Sequence, residues 1–141
     1  MDLKAKEALL KEIFGENWDK VEIVDADLLH TDTIYEAVRG CDYVIHVDTP
    51  YEIWSPKNEE KFIKPAVEST LAILKACNDF KIKRLIVTSS TAAVVHPWVT
   101  DYLFSEKDWI KLDKHTTTYP KSKFLQEKAC WDYIETLSEK D

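Results

Sequence analysis

The chain has 141 residues, 45% of them hydrophobic and 32% charged, with a formal net charge of −7 at pH 7. That length suits one ordinary domain with its own core, and the composition excludes a disordered chain. The negative balance argues against a nucleic-acid surface, which needs a basic patch to meet phosphates. The basic cluster Lys81-Ile82-Lys83-Arg84 reads as the solvated entrance to a strand. No apolar run approaches the roughly 20 residues of a membrane span. Asp2, Lys4, Lys6 and Glu7 leave the N-terminus without the apolar core of a signal peptide. Cys41, Cys77 and Cys130 stand far apart, and His30, His46, His96 and His115 lack ligand spacing. Neither a disulfide framework nor a metal site is expected, and cytoplasmic residence follows as the default.

In chain order, residues 3–14 place Leu9, Leu10, Ile13 and Phe14 at helical spacing, with Gly15 as a stop. Residues 21–26 read as a short strand. Thr31 or Asp32 can cap a second helix that ends at Gly40. Residues 43–47, Tyr-Val-Ile-His-Val, form an apolar run of the kind found in parallel sheets covered on both faces. A loop through Pro50 and Pro56 leads to a long helical pattern with Ile63, Val67, Leu71, Leu74 and Cys77 on one stripe. Pro65 must sit in the first turn of that helix or kink it. Residues 84–88 give a third strand, and the aperiodic stretch 96–118 a long loop of a sort that often carries function. The last helix starts near Tyr119, with Leu125, Ala129 and Tyr133 on one stripe and Cys130, Ile134 and Leu137 beside it. Alternation of strands and helices predicts an α/β fold with a parallel sheet flanked by helices.

In open α/β sheets, ligands bind beyond the carboxyl ends of the strands. Three stretches lie there: Asp27-Leu28, His46-Val47-Asp48-Thr49-Pro50, and Thr88-Ser89-Ser90-Thr91. Tyr119 and Lys123 are one helical turn apart, so they share a face. A lysine charge beside a phenol favours the phenolate and makes it a usable acid and base near neutral pH. A serine hydroxyl such as Ser90 can donate a hydrogen bond to the carbonyl oxygen that the tyrosine protonates. Taken separately, each feature has a plain alternative. A chain this rich in lysine shows a Tyr-x-x-x-Lys by chance, and serines often terminate strands.

Together they carry a resemblance. The stretches Val24-Asp25-Ala26-Asp27-Leu28, Ala37 through Val47, Ile63-Lys64-Pro65-Ala66-Val67-Glu68, Arg84-Leu85-Ile86-Val87-Thr88-Ser89-Ser90 and Tyr119-Pro120-Lys121-Ser122-Lys123 run in one order. In these, the sequence resembles the extended short-chain dehydrogenase/reductase superfamily of NAD-dependent epimerase/dehydratase type. The branch is that of dihydroflavonol and cinnamoyl-CoA reductases, and the match covers about residues 20–135. The resemblance implies hydride exchange between NADP (or NAD) and a small-molecule carbonyl substrate. It makes Tyr119 the general acid, has Lys123 lower the tyrosine pKa and hold the nicotinamide ribose, counts Tyr119 with Lys123 among the cofactor-binding residues, and has Ser90 orient the carbonyl. Asp27 and Leu28 match positions at the adenine, and Val47, Asp48 and Thr49 a segment lining the cofactor.

The departures are equally specific. The family opens on a βαβ unit with a Gly-x-x-Gly-x-x-Gly turn, whose glycines let backbone N–H groups approach the pyrophosphate. This sequence has two glycines, Gly15 and Gly40, and neither lies in such a turn. The expectation is therefore a partial Rossmann-like domain over residues 1–141, lacking the first βαβ unit and most of the substrate-binding region. Its strand edges would either pair with each other or stay exposed and favour self-association. Asp48 stands where the family has a small residue, and a carboxylate there would repel phosphates unless it faces solvent. Two other readings remain: a non-catalytic fragment or paralogue acting as an association module, and a sugar-nucleotide epimerase or hydroxysteroid dehydrogenase.

Overall fold

The structure is a computed structural model and describes residues 3–47 and 58–138. Asp48 and Thr49, and the loop through Pro50 and Pro56, lie outside the described residues. Helix α1 spans Leu3–Phe14 and runs into a 3-10 turn, Gly15–Lys20. Helix α2 (Thr31–Val38), strand β1 (Tyr43–His46), helix α3 (Glu60–Asp79), strand β2 (Arg84–Val87), a 3-10 turn (Thr91–Ala93) and helix α4 (Thr118–Ser138) follow. β1 and β2 pair in parallel, Tyr43 opposite Arg84 and His46 opposite Val87. Backbone bonds from Lys83 N to Asp42 O and from Thr88 N to His46 O extend the ladder by one step at each end.

The strand expected at residues 21–26 does not form. A β-strand exists only by pairing, and among the described residues the sheet consists of β1 and β2, to whose free edges this segment does not pair. Of the two outcomes anticipated for the edges, exposure is the one observed: Ile23 and Val24 are 54% and 53% exposed. The cap of α2 also differs from expectation. His30, not Thr31 or Asp32, occupies the N-cap position and makes no side-chain cap bond. The turn is closed instead by Thr33 Oγ1, which donates to His30 O at 2.6 Å and accepts from Asp27 N at 2.9 Å. Gly40 ends the helix as expected, with φ +79°.

The core lies between one face of the sheet and helices α2 and α3. It comprises Ile34 and Val38 from α2 and Ala72, Ile73, Ala76 and Cys77 from α3, with Val44 and Leu85 reaching in from the strands. Tyr35 locks α2 to the end of α3 through an edge-on ring contact with Phe80, centroids 6.0 Å apart. The opposite sheet face is bare: Tyr43 is 65%, Ile45 66% and Ile86 51% exposed.

The predicted stripe on α3 is displaced. Cys77 is buried, but Ile63, Val67, Leu71 and Leu74 are only half-buried, whereas Ala66, Ser69, Thr70, Ala72, Ile73 and Ala76 are buried. α3 packs against α2 and α4 as well as the sheet, and close helix approach selects small side chains over large ones. α4 follows the same rule. Its buried residues are Thr118, Ser122, Lys123, Gln126 and Cys130, while the expected stripe of Leu125, Ala129 and Tyr133 is half-buried. Pro65 sits in the second turn of α3, where it removes one helical hydrogen bond.

Two substitutions separate the forces at work. Ile73→Ala opens a cavity in the core and should lower unfolding stability by about 2–4 kcal/mol in urea denaturation. Gly40→Ala meets no atom within 4 Å, so its cost is the left-handed backbone alone, about 1–2 kcal/mol.

Candidate active site

α4 begins where a polar turn releases the chain. Asp113 Oδ1 accepts from His115 N at 2.8 Å and from Thr116 Oγ1 at 3.0 Å. Pro120 then falls in the first helical turn, where its missing N–H has no intrahelical partner to lose. Tyr119 just before it and Lys123 just after it share one helical face, Tyr119 half-buried and Lys123 only 3% exposed.

A buried ammonium must have acceptors or it discharges. Lys123 Nζ donates to Thr88 O at 2.8 Å and to Gln126 Oε1 at 2.6 Å. Burial lowers its pKa, while the two oxygen acceptors favour the charged form. The neighbouring Cys130 thiol is pushed up to about 11, chiefly by burial and then by Glu127, so it stays protonated. Glu127 is held in turn: Ser89 Oγ donates to its carboxylate, and Trp131 Nε1 donates to it at 3.3 Å.

Thr88 is the first residue past β2, and Ser90 is two further on. Ser90 caps the Thr91–Ala93 turn, its Oγ accepting from Ala92 N at 3.1 Å. α4 packs on that turn. The strand end carrying Ser90 and the helix carrying Tyr119 and Lys123 are thus brought together. A cleft of about 350 Å³ opens alongside, walled by Thr91, Ala92, Val95 and Trp98 on one side and Thr117 and Pro120 on the other.

The remaining site residues are placed elsewhere. Asp27 is exposed and accepts from Leu29 N at 2.9 Å and His30 Nδ1 at 3.0 Å. The backbone bond first, and then His30, hold its carboxyl below the usual range. Leu28 packs against the core cluster, and Val47 leaves β1 69% exposed. Among the described residues, no group of three His, Cys, Asp or Glu side chains could hold a metal ion, and no helix is long and apolar enough to cross a membrane.

Sequence reasoning missed Thr70 and Gln126, and gave His46 no role beyond its place at a strand end; the three stand behind Lys123 in a buried polar chain. Gln126 Nε2 donates to Thr70 Oγ1 at 2.7 Å, and His46 Nε2 lies 3.1 Å from the same oxygen. For Gln126 the one signal was the four-residue spacing of Thr118, Ser122, Gln126 and Cys130, which a hydrophobic pattern does not register.

The chain is similar to known proteins in sequence and in fold. Residues 1–133 match the 3-beta hydroxysteroid dehydrogenase/isomerase family. An anthocyanidin reductase of Vitis vinifera is 38% identical over 82% of this chain and 37% of its own length. A dihydroflavonol 4-reductase of Arabidopsis thaliana is also 38% identical, over 78% of this chain and 31% of its own. The crystal structure of Gre2 from Candida albicans in complex with NADPH superposes with a TM-score of 0.75 at 28% identity, covering 93% of this chain and 43% of that one. The chain therefore spans well under half the length of these relatives. The parallel sheet with its helices is the corresponding part of a Rossmann-type reductase fold, as the motifs had implied. By sequence and by fold, the chain belongs to the 3-beta hydroxysteroid dehydrogenase/isomerase family, in the company of plant flavonoid reductases.

Proposed function

We propose that this chain carries the acid–base machinery of an NADP-dependent reductase acting on an aldehyde or ketone. The observation that carries the proposal is the hydrogen bond from Lys123 Nζ to Thr88 O at 2.8 Å. It ties the helix bearing Tyr119 to the strand end bearing Ser90. Relatives named as anthocyanidin and dihydroflavonol reductases support the reaction class, and the NADPH complex of Gre2 supports the cofactor.

NADPH, when bound, supplies the hydride. Tyr119 donates its phenolic proton to the carbonyl oxygen as that oxygen gains charge. Ser90 Oγ accepts from Ala92 N, which leaves its own proton to donate to the same oxygen. Lys123 stabilises the phenolate left behind and holds the nicotinamide ribose. Asp27 and Leu28 serve the adenine end, and Val47 is assigned to the cofactor by the resemblance, as are Asp48 and Thr49, which lie outside the described residues. The residues fit the nicotinamide end of the cofactor better than the phosphate end. With two glycines, neither in a Gly-x-x-Gly-x-x-Gly turn, the chain has no glycine-rich cradle for a pyrophosphate. Cytoplasmic residence belongs to the same proposal, supported by three unpaired cysteines.

The bare sheet face of Tyr43, Ile45 and Ile86 favours a second reading, in which the chain acts as an association module. An apolar face beside an open strand edge is a ready surface for self-association.

NADPH titration followed by tryptophan fluorescence tests the first reading, with saturable quenching expected. In a chain that turns over a carbonyl substrate, Tyr119→Phe should cut kcat about 100-fold or more. No saturable signal would sink the reductase reading for this chain. Sedimentation equilibrium tests the second: concentration-dependent association should be abolished by Ile45→Lys, and a monomer at all concentrations would remove it.

A further inference from the structure

Lys123 is not neutralised by a carboxylate. Among the described residues, no ion pair includes it. Its acceptors are two neutral carbonyl oxygens, Thr88 O and Gln126 Oε1. An ammonium has donors only, so the amide of Gln126 must present its oxygen to Lys123 and its NH2 to Thr70. Thr70 Oγ1 is suited to receive it. Its own proton goes to Ala66 O at 2.8 Å, which leaves two lone pairs. One accepts from Gln126 Nε2 at 2.7 Å and the other from His46 Nε2 at 3.1 Å. Every polar atom of this buried junction then has a partner. That arrangement requires a proton on His46 Nε2.

We propose that Gln126, oriented by Thr70 and His46, is the positioning residue that holds the Lys123 ammonium in place without cancelling its charge. The catalytic meaning of this rests on the reductase reading; the hydrogen-bond chain itself does not. A glutamate at position 126 would make the same contact but neutralise the field that Lys123 exerts on Tyr119. An apolar residue would leave the ammonium with one acceptor fewer in a buried site. Glutamine is the side chain that supplies an oxygen and no charge. The link also spans the fold, joining α4 through α3 to the end of β1. It therefore sets Lys123 relative to both strand ends between which a cofactor of this family would lie. The groups facing Lys123 are Thr88 O just past β2, Thr70 and His46 behind Gln126, the protonated Cys130 thiol on α4, and Glu127 on α4, which acts on it through charge.

The test is the titration of Lys123 in the full chain, read by NMR of 13C-labelled lysine and assigned by loss of its signal in Lys123→Met. Gln126→Glu should move the titration to higher pH and Gln126→Met to lower pH. A purely structural role would not give shifts of opposite sign. Thr70→Val should shift it in the same direction as Gln126→Met, and Thr70→Ser should restore it. If both Gln126 variants fold and titrate as the unsubstituted chain does, the proposal is overturned, whatever Thr70→Val does. NADPH titration of the same samples keeps the two ideas apart. Shifts without NADPH binding would sink the reductase reading alone, and NADPH binding without shifts would sink the positioning role alone.

Discussion

A buried ammonium is the constraint around which the site is arranged. Lys123 is 3% exposed, and an unpaired charge in that position would cost several kcal/mol. Its hydrogen bond to Thr88 O compels α4 to start against the carboxyl end of β2. The same bond brings the Ser90 turn under the first turn of α4 and leaves the cleft beside Pro120. Thr88 O can accept this bond because the strand ladder has ended there. Its N–H makes the last sheet bond, to His46 O, and its carbonyl then turns to the helix.

The packing of α3 and α4 follows from that anchor. The facing surfaces carry Ala66, Ser69 and Thr70 on one side and Ser122 and Gln126 on the other, all buried. Small side chains let the backbones approach closely, and polar ones then need partners within the contact. Thr70 and Gln126 find each other. Thr118 Oγ1 and Ser122 Oγ are buried without a hydrogen-bond partner among the described residues. Larger apolar residues, such as Leu71 and Leu125, are displaced to the margins, where they remain half-buried. On the far side of the sheet nothing of this kind happens. Tyr43, Ile45 and Ile86 are as apolar as a covered face, and they are exposed. Such a face is suited to further packing, either within a longer chain or between chains.

Periodicity and turn chemistry were enough to locate α1, α2, β1, α3, β2 and α4 in order, and to predict the parallel sheet. Gly40 ended α2 because only a left-handed residue serves there, and that requirement is local. Tyr119 and Lys123 were legible as one unit because helical geometry links residues four apart whatever surrounds them. The strand expected at residues 21–26 was not decidable in this way. Its β-branched composition is a preference for a pleated, paired surface, and among the described residues it pairs with neither free edge of the sheet. The stripes on α3 and α4 were misplaced for a related reason. A hydrophobic pattern assumes that one apolar face seeks one core, whereas these helices pack on several sides and bury their smallest residues.

The residues thus specified element type, order and chemical inventory: a hydroxyl-rich strand end and a phenol and ammonium on one helical face. These depend on backbone geometry over a few residues. Tertiary structure alone settled which groups met. That Lys123 bonds to Thr88 O, that Gln126 and Thr70 stand behind it, and that one sheet face is bare depend on contacts between residues far apart in the chain. A polar residue on a helix reads as solvent-facing until a second helix covers it. Gln126 was such a residue, and α3 supplied the cover.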